Sequence, residues 1–191
     1  MRSPRPVNAI VRRNLMRLRT ILTLFVFATT AAPPLDAFGQ GSVRQEALHD
    51  RLRRVDEFVW DGPLFMKGRR TLQQVRNLSR LLGEKVQKSP NPHVGGQIDE
   101  FRTLTFEGLE LYGRVTPAQE FSPITAVITT PRWRIRNGLD VGSSAARVAS
   151  VLGQPMQTTG AILEYQGESE RVNFHVGNGI IKKIEFFYYA D

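Results

Sequence analysis

The side chains best suited to metal binding or acid–base chemistry are far apart in this sequence. Its three histidines fall in different settings: His49 on a charged helical segment, His93 in a Pro/Gly-rich loop and His175 on a strand. No two of them share the short spacing that metal ligands on one element adopt. The sequence therefore predicts no metal site.

Carboxylates offer the other route to chemistry. Asp99–Glu100 and the pair Glu107 and Glu110 have the residue types of a general acid and base, but their positions are typical of exposed strand ends. The sequence after residue 39 contains no nucleophile elbow, Walker A or dinucleotide-binding glycine pattern, and the chain has no cysteine. We expect no catalytic residue, no cofactor and no enzyme activity. A small hydrolase would require two of four side chains to meet in one cleft: His93, His175, Glu164 and Glu185.

The last two strands predicted by the sequence carry a more informative pattern. In strands 170–176 and 180–189, alternation separates an apolar set from a set that mixes charge with aromatic rings. The apolar sets, expected under a helix, are Val172, Phe174 and Val176, and Ile180, Lys182, Ile184, Phe186 and Tyr188. The mixed sets are Arg171, Asn173, His175, Lys183, Glu185, Phe187 and Tyr189. Tyr, Phe and Arg are enriched in protein interfaces, so the mixed face is our candidate binding surface. The alternative is that Phe187 and Tyr189 pack against the N-terminal helix or the other half of the chain.

A second candidate lies at residues 132–136, which read Arg-Trp-Arg-Ile-Arg. Alternation puts Trp133 on one side and Arg132 and Arg134 on the other, which would suit an anionic group or an acidic partner. The structural alternative, which we favour, is that Trp133 covers the seam between the two copies while the arginines are solvated.

The elements that position these residues follow from periodicity. The sequence predicts a helix over 42–60 capped by Ser42 and stopped by Asp61-Gly62-Pro63, and a second helix over 71–82 that starts at a Thr71–Gln74 capping box and ends at Gly83. Alternation then predicts strands at 101–106, 109–115 and 123–130, the first two joined by a Glu107-Gly108 turn.

The same order of elements then recurs. Ser143-Ser144 caps a short helix that Gly153 ends, and strands follow at 161–166, 170–176 and 180–189. Residues 81–87 align with 151–157 at an offset of 70, which suggests a duplication. The predicted fold is α+β: helices packed on antiparallel three-stranded meanders, in two tandem copies of one helix-plus-meander unit.

The N-terminal segment has the composition of an export signal. Six arginines and no acidic residue occupy the first nineteen positions, a twelve-residue apolar run follows from Ile21, and Ala37-Phe-Gly39 forms a small-residue cleavage site. We therefore divide the chain into a signal peptide at 1–39, an N-terminal helix and connector at 40–66, a first repeat at 67–131 and a second at 132–191. Export of this kind predicts a periplasmic or secreted protein.

Removal of the leader changes the meaning of the charge. The whole chain carries 26 basic and 18 acidic residues, but residues 40–191 carry 20 and 17, a net charge of +3. A nucleic-acid-binding protein needs a basic face on its folded part, so nucleic acid is not an expected partner. No later apolar run reaches the ~20 residues of a membrane-spanning helix.

The second repeat resembles a known envelope-protein pattern. Its residues are Asn137–Ser144 (NGLDVGSS), Val148, Val151–Pro155 (VLGQP), Leu163–Tyr165 and Val172–Phe174. The stretch 134–189, and more loosely 67–130, is similar to the small outer-membrane lipoprotein of the barrel-assembly machine (the SmpA/OmlA family) and to the tandem-repeat fold of the β-lactamase inhibitor protein. The lipoprotein family carries a lipidated cysteine that is absent here, so the resemblance implies a chain that is soluble or held by a partner.

These expectations combine into one functional hypothesis. The chain is expected to be an exported, non-enzymatic envelope protein whose open sheet face binds an envelope or secreted protein, either as an inhibitor or as an assembly accessory. The alternative is a periplasmic protein that holds a small ligand in a closed, mostly apolar pocket between sheet and helices.

Overall fold

The computed structural model of the protein describes residues 37–63 and 70–188, with the side chains of 37–44 and 136 left out. Most of the predicted signal peptide, residues 1–36, and the candidate Tyr189 lie outside the described residues. The predicted domain boundaries therefore stay predictions.

Helices and strands occur in the following order along the chain. They are α1 (Ala37–Trp60), β1 (Arg70–Thr71), α2 (Leu72–Arg76), β2 (Leu81–Pro90), β3 (Ile98–Phe106), β4 (Leu109–Val115), β5 (Glu120–Ile128), a 3₁₀ turn (Arg136–Gly138), α3 (Ala145–Leu152), β6 (Gln157–Thr159), β7 (Ile162–Gln166), β8 (Arg171–Gly177) and β9 (Ile180–Phe187). The protein thus combines few helices with many strands, as the α+β prediction requires.

All described strands belong to one antiparallel sheet. Its order is β2-β3-β4-β5-β9-β8-β7-β6, with β1 paired to one end of β5. Each half of the chain forms a four-stranded meander, not the three-stranded one predicted, because β2 and β6 each add an edge strand. The two meanders meet through their last strands, β5 and β9, which pair over residues 125–128 and 184–187.

One face of the sheet, here called the inner face, carries the core. Phe58 of α1 stacks between two inner-face rings, 6.0 Å from Phe174 of β8 and 5.8 Å from Phe186 of β9. The buried residues of α2 and α3 belong to the same apolar cluster as the inner-face residues of both meanders. Burial of a ring such as that of Phe58 contributes about 1.5–3 kcal/mol to folding. Every described helix therefore stabilises the same side of the sheet.

A carboxylate fixes α1 to the β7–β8 turn. Asp56 accepts backbone hydrogen bonds from Glu168 at 2.9 Å, Ser169 at 3.4 Å and Glu170 at 3.0 Å. A Cβ atom at Gly167 would lie 2.0 Å from Asp56 Oδ1, so this close approach requires glycine. The contact joins residues more than 110 positions apart and sets the position of α1 on the inner face.

Several local predictions are correct. The Thr71–Gln74 capping box is present, Ser144 caps α3, and α3 ends at Gly153 with φ +85°. Glu107 and Gly108 form the turn between β3 and β4, where Gly108 has φ +73°. These signals succeed because each depends only on residues within one turn of chain.

The helix predicted over 71–82 is wrong beyond its first turn. α2 ends at Arg76, and Leu81, Leu82 and Gly83 lie in or beside β2, so Gly83 closes no helix. The alignment at an offset of 70 therefore matches the strand residues Leu81 and Leu82 with the helix residues Val151 and Leu152. The predicted start of the first helix is also wrong, because α1 begins at Ala37 and Ser42 lies inside it.

Within the described ranges, no helix has the length and apolar character needed to cross a membrane.

We predict that Asp56→Ala lowers the free energy of unfolding by about 2–3 kcal/mol, because three backbone donors of the β7–β8 turn lose a charged acceptor. Urea unfolding followed by circular dichroism measures this loss. Asp50→Ala on the same helix is the control. Within the described residues Asp50 makes only an exposed pair with Arg53, and its removal should cost under about 0.5 kcal/mol. Equal effects of the two variants would contradict this role for Asp56.

Candidate functional site

Six of the seven predicted face residues share one side of the sheet, opposite the core. Cross-strand pairs set Arg171 opposite Phe187, Asn173 opposite Glu185 and His175 opposite Lys183. We call this side the outer face. Side chains directly opposite each other on paired strands point to the same side, so the six form one patch.

A β-bulge changes the composition of the inner set. Val176 pairs with Ile181 while His175 pairs with Lys183, which leaves Lys182 as the extra residue. Ile181 is therefore fully buried and Lys182 is exposed, so the predicted inward position of Lys182 is wrong. The bulge restores the alternation that places Lys183, Glu185 and Phe187 outward.

An ion cluster occupies one end of the patch. Glu185 receives Lys183 Nζ at 2.7 Å on one carboxylate oxygen and contacts His175 Nε2 at 2.7 Å with the other. Partial burial acts to raise the pKa of Glu185, but the hydrogen bonds from Lys183 and His175 prevail and hold it below its ordinary value. The cluster holds the side chains of His175, Lys183 and Glu185 in one orientation in the unbound chain.

A cation–π contact occupies the other end. The guanidinium carbon of Arg171 lies 4.2 Å from the centroid of the Phe187 ring, a geometry that holds both side chains flat on the sheet. Arg171 Nε and Asn173 Oδ1 are buried and make no hydrogen bond within the described part of the chain. Buried polar atoms normally have hydrogen-bond partners. Arg171 Nε can therefore donate one further hydrogen bond, and Asn173 Oδ1 can accept one.

The pairing of β5 with β9 extends this patch into the first meander. Phe187 lies opposite Thr125, which lies opposite Tyr112, and the register continues to Thr103 and Lys85. A single row thus crosses seven strands. Its members are Gln166, Arg171, Phe187, Thr125, Tyr112, Thr103 and Lys85.

The sequence analysis missed two aromatic residues of this face. Phe101 and Tyr112 lie on β3 and β4, where their rings stack at a centroid distance of 5.9 Å and an interplanar angle of 18°. Alternation alone separates them from buried Leu104 and Leu111, so the signal for an outward aromatic pair was present. What the sequence does not reveal is that β5 and β9 bring this pair onto the same face as Phe187.

Phe187 lies on the side of the sheet opposite the described side chains of α1, but it does lie beside the other half of the chain, as the second arm of the alternative expected. α1 packs on the inner face through Phe58, and Phe187 faces the opposite direction. Its neighbours on the outer face are Arg171 and, from the other half of the chain, Thr125. Phe187 is partly covered by these neighbours and remains partly exposed.

The segment 132–134 lies away from this face. Trp133 donates its indole N–H to the carbonyl of Glu107 at 2.8 Å and packs edge-on against Phe106, with ring centroids 5.8 Å apart. Arg132 makes an exposed ion pair with Glu107, and Arg134 is exposed. Trp133 thus covers the end of the β3–β4 hairpin, and the arginines on either side of it are exposed.

The histidines and carboxylates do not gather in a cleft. His49 pairs with Glu168 at 2.7 Å on the surface, and the backbone N–H of His93 donates to Asn91 within its own loop. His175 and Glu185 do meet, but on an open sheet face. Among the described residues no group of three or more His, Asp or Glu side chains is arranged to hold a metal ion.

A concavity of about 400 Å³ lies between α1, the 3₁₀ turn and α3. Four of its lining residues are polar or charged, namely Arg54, Glu57, Asp61 and Asn137, and the others are Phe58, Val151 and Leu152. A small-ligand carrier is expected to have a mostly apolar, enclosed pocket. This concavity does not have that lining.

Comparison with known proteins identifies no relative. No protein-family model matches the sequence, and neither a curated protein nor a solved structure is significantly similar to it. Function is therefore inferred from the outer face itself.

We predict that Glu185→Gln lowers the free energy of unfolding by about 1 kcal/mol at pH 7, because Lys183 and His175 lose an ionised acceptor. The folded state holds the pKa of Glu185 below the ordinary value of 4.5, so its contribution is complete above that value and is lost as the pH falls through the lowered pKa. Urea unfolding of both proteins at pH 7, 5 and 3 measures the difference, which should shrink towards pH 3.

The control for this titration is Glu110→Gln, an exposed carboxylate on β4 of the same face. A difference between wild type and Glu185→Gln that does not change with pH, or an equal response of Glu110→Gln, would contradict the proposed charge cluster.

Proposed function

We propose that this protein is an exported, non-enzymatic binding module that recognises an envelope or secreted protein through its outer sheet face. The single observation that carries the proposal is the continuous outer row that crosses seven strands and displays Arg171, Phe187 and Tyr112 together. In this account the protein acts by surface complementarity, as an inhibitor or an assembly accessory.

The physical character of the outer face supports protein recognition. Phe187 and Tyr112 offer apolar area at a small entropic cost on binding, because each is held by a neighbour, Arg171 or Phe101. Their preorganisation means that little rotamer freedom remains to be lost. Arg and aromatic side chains also dominate the binding energy of known protein interfaces.

The charges of the outer face suit a partner of mixed polarity. A second row, next to the aromatic one, carries Glu164, Asn173, Glu185 and Glu110 on strands β7, β8, β9 and β4. Basic groups at Arg171 and Lys183 flank this acidic row. Alternation of sign across a short distance favours one docking orientation over others, which is how charge contributes to specificity.

We also propose that the two halves arose by duplication. In each half a short helix, α2 or α3, precedes a four-stranded meander, and the last strands of the two meanders pair with each other. This order supports the suggested likeness to tandem helix-plus-meander proteins such as the β-lactamase inhibitor protein. The predicted signal peptide, for its part, supports a periplasmic or secreted location.

We predict that Phe187→Ala weakens capture of the partner at least about 30-fold, the loss expected for an interface hot spot of 2 kcal/mol or more. The full chain, immobilised and exposed to an envelope extract of the source organism, is compared with Phe187→Ala and Arg171→Ala. The retained partner is then purified and titrated, which gives its dissociation constant for the wild type and for each of the two variants.

Met156→Ala is the matched control, since it removes an exposed apolar side chain that lies outside the outer-face rows. Thermal melts of all variants establish that they remain folded. Retention of the same partner with equal affinity by wild type, Phe187→Ala and Arg171→Ala would contradict the proposal.

A further inference from the structure

The long edge strand of the sheet, β2, exposes two large apolar side chains, Leu82 and Val86. β2 spans ten residues and pairs with β3 at nine positions, whereas the opposite edge strand, β6, has three residues. Seven large apolar side chains are exposed in the described part of the chain, and four of them lie between residues 81 and 100. These four are Leu82, Val86, Val94 and Ile98.

An exposed edge strand is a template for another strand, because its outward N–H and C=O groups lack sheet partners. Proteins usually protect such edges with lysines, prolines and bulges, and β2 has all three in Lys85, Lys88, Pro90 and the irregularity near Gly83. These features restrict which strands can still pair with β2.

The sequence of β2 is complementary to itself in one antiparallel register. A two-fold axis at Val86 places Val86 of one copy opposite Val86 of the other. In the same register Glu84 of each copy lies opposite Lys88 of the other, and Lys85 lies opposite Gln87. An apolar pair is then flanked by two symmetric ion pairs. Registers centred on Glu84, Lys85 or Lys88 instead set like charges opposite each other, which is destabilising. The charged residues thus disfavour those three registers, and the register centred on Val86 is the one that sets two Glu84–Lys88 pairs about an apolar pair.

Glu84, the acidic member of this pair, is bound by two arginines of its own chain. Arg76 donates to it at 2.7 Å and 3.0 Å, and Arg102 contacts the same carboxylate from β3. The hydrogen bonds from Arg76 lower the pKa of Glu84, although partial burial acts in the opposite direction. Lys88, two positions beyond Val86 on the same side of β2, is exposed and makes no ion pair within the described part of the chain, so it can meet Glu84 of another copy.

We propose that this protein forms a two-fold homodimer by antiparallel pairing of β2 with β2 of a second copy, centred on Val86. The pairing continues the sheet across the axis and aligns the two outer faces side by side. A dimer of this kind presents two copies of the binding face, so a repetitive or dimeric partner would be bound with avidity. The proposal does not depend on the identity of any partner.

Sedimentation equilibrium of the purified full chain, without any partner, tests the dimer. The wild type should show a concentration-dependent monomer–dimer equilibrium. Lys88→Glu sets Glu opposite Glu84 twice and should raise the dimer dissociation constant at least about tenfold. Lys85→Glu is the matched control, because it makes the same charge change on β2 but faces Gln87, and its dissociation constant should stay within about threefold of the wild type.

A second measurement locates the axis and does not depend on the stability of the charge variants. Because the chain has no cysteine, Val86→Cys introduces the only thiol. Opposite positions on paired strands are close enough for a disulfide, so mild oxidation should cross-link Val86→Cys quickly and Val94→Cys slowly. Val94 is equally exposed but lies in the loop beyond β2.

A wild type that is monomeric at every accessible concentration would overturn the proposal. So would a dimer that Lys88→Glu and Lys85→Glu weaken equally, or cross-linking of Val86→Cys no faster than that of Val94→Cys.

Discussion

The pairing of β5 with β9 is the contact on which the rest of the structure depends. Ala126, Ile128, Ile184 and Phe186 alternate inward along this seam and are fully buried, so a slip of one residue would exchange them with Thr125, Val127, Glu185 and Phe187. Burial of the inward set therefore fixes the register. With that register fixed, two meanders share one core on the inner face and one surface on the outer face. Without it, Arg171 and Phe187 would be separated from Tyr112, and the outer row would not be continuous.

The asymmetry of the two faces has a simple origin. Phe58 of α1 fills the space between Phe174 and Phe186, and the three backbone hydrogen bonds to Asp56 prevent the helix from moving off this site. The other described helices pack into the same cluster. All described helical cover is thus used on one side of the sheet. The side chains of the outer face are instead held by contacts with one another on the sheet itself. The same contacts make this face suitable for recognition.

The sequence predicted what is encoded locally and missed what is decided at long range. The alternation that puts Asn173 and Glu185 on the opposite side from Phe174 and Phe186 was readable, as was the cap at Ser144. The helix expected to reach Leu82 is wrong because Leu81 and Leu82 fit the start of a strand as well as the end of a helix, and pairing with β3 decided between them. The seam between β5 and β9 pairs Thr125 with Phe187, which are far apart in the sequence, so no local pattern could reveal it. The bulge at Lys182 lies within the β8–β9 hairpin, but strict alternation assumes that no extra residue is inserted and therefore misplaces Lys182.

The central claim, that the outer face binds a protein, is tested most directly by mapping the contact itself. A photo-reactive phenylalanine analogue is placed at Tyr112, in the middle of the outer row, and in a separate protein at Trp60, a more exposed aromatic position on α1. Both proteins are irradiated in an envelope extract of the source organism. We predict that the probe at Tyr112 cross-links one envelope or secreted protein and that the probe at Trp60 does not. Cross-linking of that protein from Trp60 but not from Tyr112 would contradict the account.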